Sequence, residues 1–188
     1  MKVSIGVSAR HVHVTKEDLN ILFGEGFELT QKVALSQPGQ YACNEQVTLK
    51  GPKGTIERVR ILGPERSETQ VEISKTDSFA LGIKPPIRNS GDLEGAAEVT
   101  IIGPNGEVTK SAAIIAARHV HATPEDAKKY GFEEKEFVSI VVKGEKPGIL
   151  ENVYVRISDK FSYEVHLDTD DANAFLIKQG DEAELIVK

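Results

Sequence analysis

The sequence predicts a mainly β protein of two small barrels that arise from an internal repeat, each capped by short helices. Three observations carry that prediction. Short segments rich in Val and Ile, separated by Gly, Pro, Asn or Asp, recur along the chain. The pentapeptide ARHVH is written twice, at 9–13 and at 117–121. The stretches after the two copies, HVHVTKEDLNILFGEGFE and HVHATPEDAKKYGFEEKE, share His-Val-His-x-Thr-x-Glu-Asp and then Gly-Phe-Glu.

Taken in order, KVSIGVSA alternates like a strand and leads into the first ARHVH. TKEDLNILFG then reads as a helix, with Thr15 as N-cap, acids in the first turn and a closing glycine. EQVTLKG, TIERVRILG, TQVEIS and AEVTIIG read as strands of the first half. The second ARHVH is followed by a second capped helix, TPEDAKKYG, and by the strands FVSIVVKG, NVYVRIS, YEVHL and AELIVK. The tails also agree, KTDSFALGIK plus GDLEGAAEVTI against DTDDANAFLIKQGDEAELIV, except that the first half inserts PPIRNS. A sheet protein often closes a barrel with its first strand. The expected division is therefore 1–9 with 117–188 as one barrel domain and 10–116 as a barrel inserted in it.

Composition excludes several function classes. In 188 residues, 29 acids against 23 bases leave a formal charge of −6, which argues against a broad grip on nucleic acid. The single Cys43 can form neither an internal disulfide nor a thiolate metal site. No stretch approaches the ~20 apolar residues of a membrane span, and the start lacks the apolar run of a secretion signal. A soluble cytoplasmic protein, bound to neither membrane nor nucleic acid, is expected.

Of the five histidines, four lie in the two pentapeptides. Residues i and i+2 of a strand share a face ~7 Å apart, so His-x-His offers two imidazoles to one metal. Val3, Ile5, Val7 and Ala9 share parity with His11 and His13, as Ala113, Ile115 and Ala117 do with His119 and His121. Each pair is thus expected at the end of an inward apolar face. His166 in YEVHL is a candidate third ligand, and a set of this size implies two metals or one metal beside an open position. Glu94, after the inserted segment, is preferred over Asp92 as a completing carboxylate, although spacing does not separate them. Arg88, in a stiff Pro-Pro loop, suits an anionic substrate because guanidinium pairs with phosphate oxygens at any working pH. Arg10 and Arg118 face away from the histidines and read as structural ion-pair residues. A metal-dependent hydrolase of an ester, thioester or phosphoester would also use such residues, and a metal-stabilised binding module remains a non-enzymatic reading.

The blocks GVSARHVHVT, KTDSFALGIKPPIRNSGDLEG, ARHVHATPEDA and EVHLDTDDAN resemble the signature segments of the PduL-type phosphotransacylases, the phosphate propanoyltransferases of bacterial propanediol and related fermentations. The resemblance implies two β-barrel domains with two zinc ions at their interface. It also implies reversible transfer of a propanoyl or acetyl group between coenzyme A and inorganic phosphate. His11 and His13 would hold one zinc, while His119, His121 and His166 with Glu94 would hold the other. Arg88 would bind phosphate and act in catalysis, and Val7, Ser8 and Lys75 would lie against coenzyme A. Microcompartment members of the family carry an N-terminal targeting extension, whereas this sequence starts almost at the first strand. A free cytoplasmic member or a trimmed chain from a microcompartment lumen is the expectation, without shell association; the oligomeric state, a homo-oligomer included, stays open.

Overall fold

The computed structural model describes residues 1–187. The chain runs through β1 (Lys2–Ser8), β2 (His11–His13), α1 (Lys16–Phe23), β3 (Gln31–Ala34), β4 (Tyr41–Lys50), β5 (Thr55–Gly63), β6 (Gln70–Glu72), α2 (Lys75–Leu81), β7 (Ile87–Arg88), β8 (Ala97–Ile102) and β9 (Glu107–Ala116). It continues through β10 (His119–Ala122), α3 (Pro124–Tyr130), β11 (Phe137–Val142), β12 (Gly148–Ile157), β13 (Glu164–Asp168), α4 (Thr169–Ala174) and β14 (Glu182–Ile186). None of these helices is long and apolar enough to cross a membrane.

Two compact units result. The terminal unit comprises Met1–Ser8, Ser36–Pro38 and Ala117–Lys188, and the inserted unit comprises Ala9–Leu35 and Gly39–Ala116. In the terminal unit β1, β13, β10, β12, β11 and β14 close a six-stranded barrel. In the inserted unit β4, β5, β2, β6, β9 and β8 pair in that order and β8 returns to β4, with β3 added beside β4 and β7 beside β9. Closure leaves neither ring with an unpaired edge.

The strand leading into each ARHVH closes the barrel of the other copy. β1 pairs parallel with β13, Ile5 opposite Val165, and β9 pairs parallel with β6, Ala113 opposite Val71. The expectation that Val3 through His13 present one face of one strand is therefore corrected, because the strand ends at Ser8 and the chain bends at Arg10. Arg10 is held there by Asp77 at 2.7 and 2.9 Å, and Arg118 by Asp171 at 2.8 Å in the second copy. Val3 and Ile5 fill the terminal core with Val120, Val165 and Leu167, while Val12, Val71, Leu49 and Ile61 fill the inserted core. Since Val12 and Val120 point into the cores, alternation turns the flanking histidines to the opposite face of each strand. His11, His13 and His121 are buried nonetheless, His13 at 2% exposure and His121 at 5%, and His119 is half-buried.

The two helices read from sequence are α1 and α3, capped by Thr15 and Thr123 as the residue types predict. Two more form, α2 and α4. Ser74 and Asp77 make a reciprocal capping box for α2, and Asp168 accepts from the Asp171 amide at the start of α4. In all four cases the cap lies two residues beyond a candidate ligand: Thr15 after His13, Ser74 after Glu72, Thr123 after His121 and Asp168 after His166. A cap that ends the strand at a fixed residue also fixes which side chains occupy its last rungs.

Candidate functional site

Strand register decides which side chains meet. In the inserted unit β2 runs antiparallel to β6, with His11 opposite Glu72, Val12 opposite Val71 and His13 opposite Gln70. In the terminal unit β10 runs antiparallel to β13, with His119 opposite His166, Val120 opposite Val165 and His121 opposite Glu164. Glu72 thus holds the place of His166, and Gln70 that of Glu164. Two groups of ligand atoms converge, His11–His13–Glu72 and His119–His121–His166, each with its atoms within 4.8 Å of one another.

The hydrogen bonds suit a cation in both groups. His11 Nδ1 lies 2.8 Å from the Ala9 carbonyl, and His119 Nδ1 lies 2.8 Å from that of Ala117. A carbonyl only accepts, so Nδ1 carries the proton and Nε2 presents its lone pair, the arrangement that metal-bound histidines use. His11 Nε2 faces Glu72 Oε2 at 3.5 Å. His13 Nδ1 rests 3.2 Å from the Leu62 carbonyl. Both ring nitrogens of His121 are buried with no hydrogen-bond partner. Buried polar atoms are rarely left so, and a metal ion would satisfy one of these. The ring is steadied by Phe161, stacked at 3.9 Å, and the Arg156 guanidinium lies 5.5 Å from the centre of that phenyl ring.

Charge differs between the groups. Burial pulls the His11 imidazole down, but the Glu72 carboxylate and the Ala9 carbonyl outweigh it and the net shift is upward. His13 is pushed down to about 3, first by burial and then by the charges of His11 and Arg66. His121 is pushed down to about 2 by burial, then by His119, His166 and Arg156. His13 and His121 are therefore neutral at any working pH, as ligands must be.

The other sequence candidates fall as follows. Glu94 is an exposed turn residue that contributes to neither group; the carboxylate that joins a histidine pair is Glu72, and it joins His11 and His13. Arg88, on β7, donates to the Glu94 carbonyl at 2.9 Å and the Ile87 carbonyl at 3.1 Å, with Asp92 at 3.5 Å. Val7 and Ser8 are half-buried at the end of β1, in register with Leu167 and Asp168. Lys75 opens α2, exposed, with its ammonium 4.9 Å from the Phe79 ring centre. Cys43 is buried and its thiol is raised to about 11 by burial, then by Glu45, which leaves it unreactive.

Sequence reading does not single out Glu72 or Arg66, which the fold places beside His11 and His13. The signal for Glu72 was present: QVEISKTD aligned on EVHLDTDD puts Glu72 on His166, the cap Ser74 on Asp168 and Asp77 on Asp171. Arg66 shows itself only in space, where its charge reaches both His11 and His13 and its Nη1 donates to Ser90 Oγ at 3.1 Å.

A family model described as phosphate propanoyltransferase matches residues 4–178. Among curated proteins, the chain is 54% identical to a phosphate propanoyltransferase of Thermotoga maritima over 181 residues, 95% of this chain and 86% of that protein. It is 54% identical to one from Priestia megaterium over 180 residues, covering 95% and 83%. A third, from Clostridioides difficile, is 48% identical over 187 residues, covering 99% and 90%. With the match spanning both ligand sets and both barrels, the chain belongs to the phosphate propanoyltransferase family of acyltransferases.

Proposed function

We propose that the protein reversibly transfers a short acyl group, propanoyl or acetyl, between coenzyme A and inorganic phosphate, with two zinc ions held by His11–His13–Glu72 and His119–His121–His166. The observation that carries this reading is the pair of converging ligand sets at equivalent strand positions in a chain of this family. Bound zinc supplies Lewis acidity toward acyl and phosphoryl oxygens.

The reaction is a direct exchange: a phosphate oxygen forms a bond to the thioester carbonyl carbon, the C–S bond breaks, and coenzyme A leaves with the sulfur electron pair. Burial keeps His13 and His121 neutral near neutrality, the form in which an imidazole ligates a metal. Phosphate is gathered by Arg66 and Arg88, which offset its charge and the charge that grows on the carbonyl oxygen. The Glu94 and Ile87 carbonyls hold Arg88 through Nε and Nη1, and Ser90 Oγ holds Arg66 through Nη1, which fixes each guanidinium in place. Val7, Ser8 and Lys75 are assigned to coenzyme A.

The test is thiol release from acetyl- and propanoyl-coenzyme A, with and without phosphate, on protein of measured zinc content. Release that requires phosphate and yields acyl phosphate is expected. Release without phosphate would make the protein a metal-dependent hydrolase and overturn the reading.

A further inference from the structure

Gln70 and Glu164 occupy the same place in the two barrels, opposite His13 and His121, two residues before the third member of each ligand set. Both are buried, at 2% and 5% exposure. We infer that they are positioning residues, each chosen to complement the ligand it sets: a hydrogen-bond donor beside the carboxylate and an acceptor beside the imidazole. The inference rests on the metal-binding reading above.

For Gln70 the amide orientation is fixed by chemistry. The Gly91 N–H can only donate, and it meets Gln70 Oε1 at 2.8 Å, so the amide nitrogen must face the other way. That nitrogen donates to Glu72 Oε1 at 2.6 Å and to Ser90 Oγ at 2.8 Å. With Oε1 taken, Oε2 is the Glu72 oxygen turned toward His11. Ser90 Oγ also receives Arg66 Nη1, so one side chain ties together the ligand, a nearby cation and the end of the inserted PPIRNS segment.

Glu164 reverses the polarity. Its Oε2 accepts from the Ser36 hydroxyl and from Gln37 Nε2 at 3.3 Å, and lies 3.2 Å from His166 Nε2. Gln37 is itself fixed by bonds to the backbone of Ser162, both at 3.1 Å. Across the sheet Gly6 stands opposite His166, where a Cβ would come within 3.0 Å of the Glu164 carboxyl carbon and 3.2 Å of His166 Nδ1. The absence of a side chain at Gly6 leaves the room that the Glu164–His166 pair occupies.

The experiment is cobalt(II) titration of metal-free protein, read by visible absorption and by chelator competition, beside the melting temperature of the metal-free form. Wild type should take up two ions. Gln70→Ala and Glu164→Gln should each weaken one ion by about 10–100-fold and shift its absorption bands, with the ion of the other barrel keeping its affinity, because outer groups that orient ligands carry effects of that size. Gln70→Glu, which sets two carboxylates side by side, should weaken the same ion as Gln70→Ala. Adding Glu72→His, which reproduces the Glu-x-His pairing of the other barrel, should restore it. Unchanged cobalt affinity in Gln70→Ala and Glu164→Gln overturns the inference. So does a fall in metal-free melting together with affinity that the double variant does not recover. Wild-type protein that takes up no cobalt would instead remove the metal reading on which the inference rests.

Discussion

In the inserted unit the group facing the histidine pair is the Glu72 carboxylate; in the terminal unit it is the His166 imidazole. The surroundings diverge in the same way. Beside His11 and His13 stands Arg66, whereas His121 stacks on the Phe161 ring, against which Arg156 also lies. The strands and helices around them share one plan: register, helix caps and the Arg–Asp pairs Arg10–Asp77 and Arg118–Asp171 recur in both. The repeat has kept the geometry that converges three side chains and changed the charge they carry. With a divalent ion bound, the carboxylate set would hold it partly by charge, while the three-imidazole set would leave its full charge available to polarise a substrate.

Removing one ligand from each set should have the largest effect. His13→Ala and His121→Ala should each lower affinity for one zinc ion by more than about 100-fold, exceeding the effect of an outer group, and should abolish most turnover. Loss of both ions from either single variant, measured by metal analysis after dialysis, would show that the sets do not bind independently.

Arginine truncation comes next. Arg66→Ala should lower kcat/KM for phosphate by about 100-fold, the scale of one lost charge-stabilising donor. Arg88→Ala should do the same. An unchanged kcat/KM for phosphate in either variant would remove that arginine from the phosphate site.

The pH dependence of the metal-free protein gives a smaller and more diagnostic contrast. His13 and His121 titrate far below the ordinary histidine value in the fold, so below pH 6.5 the unfolded chain takes up protons that the folded chain refuses. Stability then falls with falling pH, by roughly 1.4 kcal/mol per pH unit for each group, down toward about 3 for His13 and about 2 for His121. His11 acts in the opposite sense. Its raised value adds stability that is fully present below pH 6.5 and lost as pH rises through the folded value. Urea unfolding from pH 7 to pH 4 should therefore show a shallower slope in His13→Gln and His121→Gln, and a steeper one in His11→Gln.

The smallest effect uses Cys43 as a reporter. It is fully buried in the inserted core and its thiol is raised to about 11, so labelling by a thiol reagent requires that unit to open. Zinc should slow labelling in the wild type and in His121→Ala but not in His13→Ala, because a ligand stabilises the form that binds it.

Much of this was legible in the residues. Val- and Ile-rich runs between turn residues mark strands, and Thr-x-Glu-Asp after each His-Val-His marks a capped helix, because these signals act over a few neighbouring positions. The same locality explains the misses. α2 and α4 are short, and their caps, Ser74 and Asp168, follow strands of ordinary sequence. Glu94 and Glu72 are both acids near turns or strand ends, and spacing along the chain does not say which one lies across from a histidine.

That two histidine pairs sit on strands, that a threonine caps a helix after each, that the halves repeat and that the first strand joins the second half all follow from the order of residues along the chain. The register by which β1 and β9 meet β13 and β6, and the gathering of Glu72, Arg66 and Gln70 around His11 and His13, came from folding in space. The physical reason is register. Which residue faces which across two strands is set by backbone pairing between segments about 60 residues apart, whose ladder geometry a linear sequence does not carry.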